Sequence, residues 1–115
     1  MRVLILVMFA VLMSSVARGE ITVKEYREIK DTQYFETYII GVGLGFAWMN
    51  VKLEDKGQSL IFCQPLKLAL FGENYLAILA SRVREREELR GKDWNSLVEL
   101  ELLDALIEMF PCKKK

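Results

Sequence analysis

The sequence has 115 residues, with 16 Lys+Arg and 16 Asp+Glu, so its formal charge is zero. A hydrophobic content of 52% and a charged content of 28% exclude disorder as the default state, and the length allows one compact domain. Nucleic-acid binding is disfavoured because no surplus of basic residues is available for phosphate contacts. Histidine is absent, which removes the commonest general base and metal ligand and disfavours an enzyme.

The first residues have the pattern of a secretory signal peptide. Arg2 precedes an unbroken apolar run from Val3 to Met13, and small residues follow up to Ala17. The run is shorter than the about 20 apolar residues that a membrane-spanning helix needs. We therefore expect a signal peptide over residues 1–17, with cleavage after Ala17 or after Gly19. The alternative is a buried core segment. The expected mature domain, residues 18–115, is nearly neutral, periplasmic and not bound to the membrane.

Cys63 and Cys112 are the two cysteines of the chain. In an oxidising compartment, a cysteine pair in a small domain is more often a disulfide than a metal or redox site. Cys63 has no histidine or clustered cation beside it that would activate a catalytic thiol. The pair is predicted to form a structural disulfide that closes a long loop and stabilises the domain by about 4 kcal/mol.

Helical periodicity begins soon after the predicted cleavage site. Thr22 and Glu25 have the spacing of a capping box, which predicts a helix start. The strongest one-sided apolar pattern of the chain then follows at Phe35, Ile39, Val42, Phe46 and Met49. The earlier apolar residues are out of phase with this set, which favours a break near residues 30–32. Whether the region forms one helix or two stays open.

Gly41, Gly43 and Gly45 lie within this pattern. Gly41 and Gly45 are four residues apart and share a helix face, so they predict the close approach of another helix. A dinucleotide-binding turn is the alternative, but its third glycine is misplaced.

The polar stretch Leu53–Ser59 is predicted to be a loop, followed by an inward-facing segment at residues 60–62. Pro65 prevents a helix through Gln64. Helical spacing resumes at Phe71, Tyr75, Ile78, Leu79 and Val83. The mixed charges from Arg82 to Arg90 favour a solvated helix end; an arginine cluster for phosphate binding is the alternative.

Gly91 suits a helix end and Asp93 a helix start, so a last helix is expected from about Trp94 to Phe110. Its predicted inward face is Val98, Leu102, Ala105, Leu106 and Met109, and its outer face is Glu101, Asp104 and Glu108. Pro111 ends it. The sequence therefore predicts an all-α fold, a small bundle of about four helices joined by one disulfide.

Three segments carry a resemblance to a known family: Tyr38–Val42, the Cys63-x-Pro65 motif, and the terminal Ala-Leu-x-x-x-Phe-Pro-Cys of residues 105–112. Together they resemble the Tai-type (Rap/Tai) immunity proteins, which protect bacteria from peptidoglycan amidases injected by type VI secretion. The resemblance covers about residues 33–112. The chain departs from the family at residues 69–72, where a Thr is common, and in lacking another N-terminal cysteine.

The resemblance implies a non-catalytic periplasmic protein without cofactor or metal. A dimeric helical body would present an interhelical loop to the cleft of a cell-wall amidase effector, covering the effector's catalytic Cys and His. The two candidate loops are Leu53–Ser59 and Leu89–Asn95. Their partner-binding residues would be Glu54, Asp55 and Lys56 in the first loop and Arg90, Lys92, Asp93 and Trp94 in the second. Trp94 is either an interface anchor or a lid on the core.

Two other functions are considered. One is a small disulfide-bonded binding or chaperone-like module of the periplasm that has no toxin partner. The other is an enzyme, but no nucleophile and base can be assembled from the residue spacing.

Overall fold

The computed structural model describes residues 20–65 and 70–113. Within these ranges the chain forms helices α1 (Val23–Ile29), α2 (Gln33–Asp55), α3 (Gly72–Arg90) and α4 (Val98–Met109). The predicted all-α bundle of four helices is confirmed. The predicted signal peptide and its cleavage site lie outside the described residues.

Threonine side chains cap the starts of α1 and α2. The Thr22 hydroxyl accepts a hydrogen bond from the backbone N–H of Glu25 at 3.2 Å, and the Thr32 hydroxyl accepts one from the N–H of Phe35 at 3.2 Å. Each satisfies a donor that the first helical turn leaves unpaired. The predicted break near residues 30–32 is confirmed. The predicted capping box is half formed. The Thr22 hydroxyl caps the helix, but the Glu25 carboxylate lies 3.4 Å from that hydroxyl and does not bond the Thr22 N–H.

One apolar core joins all four helices. Tyr26 of α1 meets Phe35 of α2 edge to face, with ring centroids 5.2 Å apart. The other core side chains that are almost fully buried are Val23, Ile39, Phe62, Tyr75, Leu79, Val83, Val98, Leu102 and Leu106. Phe62 confirms the predicted inward turn before the disulfide. Met49, Phe71 and Met109, which the periodicity assigns to buried faces, are exposed instead.

Close packing of α3 on α2 depends on Gly43 and not on the other two glycines. A Cβ atom at Gly43 would lie 2.4–2.6 Å from ring atoms of Tyr75, closer than van der Waals contact allows. Gly41 and Gly45 are exposed, and nothing among the described residues lies within 4 Å of a Cβ atom at either position. The prediction that Gly41 and Gly45 let another helix approach closely is therefore wrong for the four described helices.

Two charged residues that the sequence analysis places at the surface are buried between α3 and α4. The Arg82 side chain is 3% exposed and donates a hydrogen bond to Glu108. Its Nε lies 3.9 Å from the carboxylate of Glu101, which is 8% exposed. The prediction of a solvated helix end fails at Arg82, and that of an outer face fails at Glu101. Because α3 and α4 pack along these positions, the two helices bury an ion pair between them.

The observed helix boundaries differ from the predicted ones in two places. Residues 53–55 form the last turn of α2, so the first loop begins at Lys56. Residues 94–97 are extended and not helical, and α4 begins at Val98. Asp93 is therefore not a helix cap.

The predicted disulfide is confirmed, and it lies where α2, the following loop and the end of α4 meet. Cys63 and Cys112 are bonded, with their Cα atoms 4.9 Å apart. Beside the bridge, the Cys63 N–H donates to the Phe110 carbonyl at 2.7 Å. The Asn50 side chain accepts from the N–H of Ile61 and donates to the carbonyl of Phe62. The loop is thus attached to both helices.

Candidate functional site

The connection between α3 and α4, residues 91–97, is called the α3–α4 loop below. Gly91 ends α3 with a φ of 91°, in the region that favours glycine, and its N–H donates to the Glu87 carbonyl at 2.8 Å. The Trp94 N–H then donates to the Gly91 carbonyl at 3.2 Å. The loop therefore turns tightly before it becomes extended, as the position of Gly91 predicts.

The extended half of this loop pairs with the residues just before α1. The Val23 N–H donates to the Ser96 carbonyl at 2.8 Å, and the Val98 N–H donates to the Ile21 carbonyl at 2.9 Å. The Lys24 N–H donates to the Asn95 side chain at 3.0 Å. This short antiparallel pairing fixes the loop backbone on both sides of Leu97. We call residues 21–24 the N-terminal clamp.

The side chain of Glu99 completes the clamp. Its carboxylate accepts hydrogen bonds from the Ile21 N–H at 3.0 Å and from the Tyr38 hydroxyl. Burial, followed by the bond to Glu99, raises the pKa of Tyr38 well above its usual value. The hydroxyl thus stays protonated and donating at neutral pH. These contacts tie the clamp to both α2 and α4.

Arg27 holds the loop from a third side. Its Nε lies 2.8 Å from a carboxylate oxygen of Glu87 on α3, and its Nη2 donates to the Trp94 carbonyl at 3.1 Å. One half-buried guanidinium therefore joins α1, α3 and the α3–α4 loop. Sequence reasoning missed Arg27, because its partners lie about sixty residues away and no local pattern marks them.

Most of the predicted partner-binding residues in this region face solvent. Arg90, Lys92 and Asp93 are exposed. Trp94 is half-buried and packs against the apolar core, which fits the lid alternative better than a free interface anchor. Only the exposed part of the Trp94 ring is therefore available to a binding partner.

A cleft of about 370 Å³ opens beside the loop, between α1 and α3. Its charged lining has four cationic side chains and one carboxylate: Arg27, Lys30, Arg84, Lys92 and Glu87. Tyr26 lines the same cleft, and the pKa of its phenol is raised, first by burial and then by Glu87. The surplus of cations suits carboxylate or other anionic groups of a partner. We call this feature the basic cleft.

The second group of predicted residues lies at the other end of the bundle. Glu54 and Asp55 are exposed on the last turn of α2, and Lys56 follows them. This end adjoins the end of α4 through the disulfide, whereas the α3–α4 loop adjoins its start. Because α4 has 12 residues, about 18 Å at 1.5 Å per residue, the two predicted loops form separate surfaces.

No protein-family model, curated protein or solved structure matches the chain. Among residues 20–65 and 70–113, no group of three or more His, Cys, Asp or Glu side chains could hold a metal ion. In the same ranges, no helix has both the length and the apolar character needed to cross a membrane. The resemblance to the Tai-type immunity proteins stays a prediction.

Proposed function

We propose that the protein is a periplasmic immunity protein that binds and occludes a peptidoglycan amidase delivered by type VI secretion. The resemblance described above suggests this partner, and the rigid α3–α4 loop is the observation that supports it most directly. A loop held by the N-terminal clamp and by Arg27 loses little conformational entropy on binding, so more of its contact energy contributes to affinity.

The basic cleft supplies the second part of the argument. Exposed cations such as Lys92 and Arg84 lie beside the loop. Complementary charges accelerate the encounter of two proteins and fix their relative orientation. We propose that an acidic rim on the amidase meets this cleft while the loop enters the substrate channel.

Glu54, Asp55 and Lys56 are the competing contact surface. They are exposed, and the loop after them is also held, by the Asn50 side chain and the disulfide. The cleft beside that loop has Lys113 as its one cation, whereas the basic cleft has four. We therefore assign the amidase contact to the α3–α4 loop. Because the two surfaces lie at opposite ends of the bundle, single substitutions can separate them.

The proposal expects a cell-wall amidase to be encoded beside this gene, and the test is a titration of that purified enzyme with the mature chain. Peptidoglycan hydrolysis should stop near one equivalent. Lys92→Glu should weaken inhibition at least tenfold, mainly through slower association, and the effect should shrink as salt is added. The matched control is Lys56→Glu, which changes an exposed lysine at the opposite end of the bundle. This variant should inhibit like the wild type.

Two other outcomes have defined meanings. If Lys56→Glu loses inhibition and Lys92→Glu retains it, the amidase contacts the end of α2 and the loop assignment is wrong. If the amidase keeps its full activity in a tenfold excess of folded wild-type chain, the immunity proposal fails for that enzyme. An envelope binding module without a toxin partner is then the better description.

A further inference from the structure

The Tyr26 hydroxyl is a hydrogen-bond donor that the fold leaves without a partner. The residue is 9% exposed, and its ring packs edge to face against Phe35. Within residues 20–65 and 70–113, the phenol oxygen forms no hydrogen bond. Buried tyrosines usually have a hydrogen-bond partner for this group. Because Tyr26 lines the basic cleft, a molecule bound in that cleft could supply the missing acceptor.

Three cations of the basic cleft are also unpaired. Lys30, Arg84 and Lys92 are exposed, and in the described part of the chain none of them lies within 4.0 Å of a carboxylate oxygen. Arg27 differs, because its charge is compensated by Glu87 at 2.8 Å. The end of α1, the last part of α3 and the α3–α4 loop therefore each contribute one free positive charge to the cleft.

The phenol oxygen lies within reach of the charges around the cleft. Burial raises the pKa of Tyr26, Glu87 and then Asp31 add to the rise, and Arg84 opposes it. The hydroxyl therefore stays protonated at neutral pH and can donate to an anion. Since Glu87 and Arg84 line the cleft from α3, their effect on the phenol places its oxygen near the cationic side chains.

We infer that the basic cleft binds a phosphate group, with the Tyr26 hydroxyl donating a hydrogen bond to it and Lys30, Arg84 and Lys92 neutralising its charge. A phosphate group carries nearly two negative charges at neutral pH and several acceptor oxygens, whereas one carboxylate would leave two of the three cations uncompensated. Phosphate binding by the arginines of α3 is the alternative left open by the sequence, and Arg84 is the member of that cluster that takes part.

The size of the cleft indicates a ligand larger than phosphate alone. Its volume of about 370 Å³ equals that of about a dozen water molecules. Ala80 and Val83 add apolar surface to its lining. A phosphomonoester with a small organic body fits both features.

The charges around the cleft favour a soluble ligand over a lipid headgroup. Asp31 and Glu36 line the adjoining depression on the other side of Tyr26. Glu88 and Asp93 are exposed near the end of α3. These four carboxylates would be repelled by a flat anionic membrane surface, but they leave the cleft open to a small molecule.

Titration of the expected mature domain with inorganic phosphate tests the site. At constant ionic strength and about pH 8, where phosphate is mainly dianionic, NMR signals of cleft residues should shift saturably with a dissociation constant of millimolar order. Tyr26→Phe keeps the ring that packs on Phe35 and removes the hydroxyl, so it should weaken binding about tenfold. The matched control is Tyr34→Phe, which changes a tyrosine that is 69% exposed outside the cleft and should bind like the wild type.

Arg84→Gln tests the electrostatic part. It should also weaken phosphate binding about tenfold, because it removes a charge-assisted contact. Arg90→Gln, which changes an exposed arginine of the same helix outside the cleft, should have no such effect. Acetate, with about half the charge, should bind about tenfold more weakly than phosphate.

Three results would overturn the inference. One is the absence of saturable shifts up to about 50 mM phosphate, and another is phosphate binding that both Tyr26→Phe and Arg84→Gln leave unchanged. Acetate binding as tight as phosphate binding would contradict the assignment of a dianion. If vesicles that contain phosphatidic acid bind the chain through Tyr26 while inorganic phosphate does not, the soluble ligand is wrong. The titration uses this chain alone, so its result does not depend on the proposed amidase partner.

Discussion

At Gly43 the backbone of α2 lies so close to the Tyr75 ring that a larger side chain has no room. A Cβ atom there would meet the near side of the Tyr75 ring at 2.4–2.6 Å, and this part of a buried ring cannot move away alone. Gly43→Ala should therefore lower the free energy of unfolding by about 1–3 kcal/mol, the usual cost of overpacking. Urea unfolding at low protein concentration measures this change.

Gly41→Ala is the matched control on the same helix. Its Cβ atom meets nothing within 4 Å in residues 20–65 and 70–113, so the substitution should raise the free energy of unfolding by up to about 1 kcal/mol through helix propensity. Equal effects of the two substitutions would contradict the packing of Tyr75 on Gly43.

Arg82 is the buried charge whose removal should cost the most. Arg82→Ala leaves the buried Glu101 carboxylate without its neighbouring cation, and breaking a buried pair in this way costs about 3–5 kcal/mol. The double variant Arg82→Met with Glu101→Leu removes both charges and should be markedly more stable than Arg82→Ala. Chemical denaturation of both variants checks the order; the reverse order would mean that Glu101 does not depend on Arg82.

At the scale of elements, the disulfide joins the loop after α2 to the segment after α4. The bridge spans 49 residues of sequence, so removing it enlarges the conformational freedom of the unfolded chain. Replacing Cys63 and Cys112 together by serine should lower the free energy of unfolding by about 4 kcal/mol. Urea unfolding of both proteins under oxidising conditions measures the difference. An equal midpoint would show that the bridge contributes nothing.

Element boundaries were predictable where a local signal sets them. The hydroxyls of Thr22 and Thr32 cap α1 and α2, and Gly91 ends α3, all within three or four residues of the groups they bind. The end of α2 was misplaced because apolar periodicity stops before the helix does. Residues 94–97 were misplaced because their backbone pairs with residues 21–23, a contact that no local pattern encodes.

The candidate site was predictable in part for the same reason. Exposed charges at Arg90, Lys92 and Asp93 follow from the turn at Gly91. Their support by Arg27 and by the N-terminal clamp arises from contacts across most of the chain. Burial of Arg82 likewise depends on which face of α4 meets α3, and the sign pattern of the charges alone favours the opposite arrangement.

At the scale of the whole molecule, three buried or half-buried phenols link stability to alkaline pH. Burial is the largest cause of the raised pKa values of Tyr26, Tyr38 and Tyr75. Because the folded-state pKa exceeds the unfolded value of 10.0, their contribution to stability is full below pH 10 and is lost as the pH rises beyond it.

The urea midpoint should therefore fall above about pH 10, with the phenols of Tyr26, Tyr38 and Tyr75 ionising as the chain unfolds. Tyr38→Phe should make the decline shallower, since it removes one of the three linked groups. Ionisation of all four tyrosines of the chain at the pH of free tyrosine, without unfolding, would contradict this linkage.

The most direct test of the proposed function is to ask whether the chain inhibits a cell-wall amidase encoded beside its gene, as the proposal requires, measured as release of stem peptides from peptidoglycan. We predict that hydrolysis stops at about one equivalent, and that Lys92→Glu shifts this inhibition at least tenfold while Lys56→Glu does not. Undiminished hydrolysis in the presence of excess folded protein would contradict the immunity function.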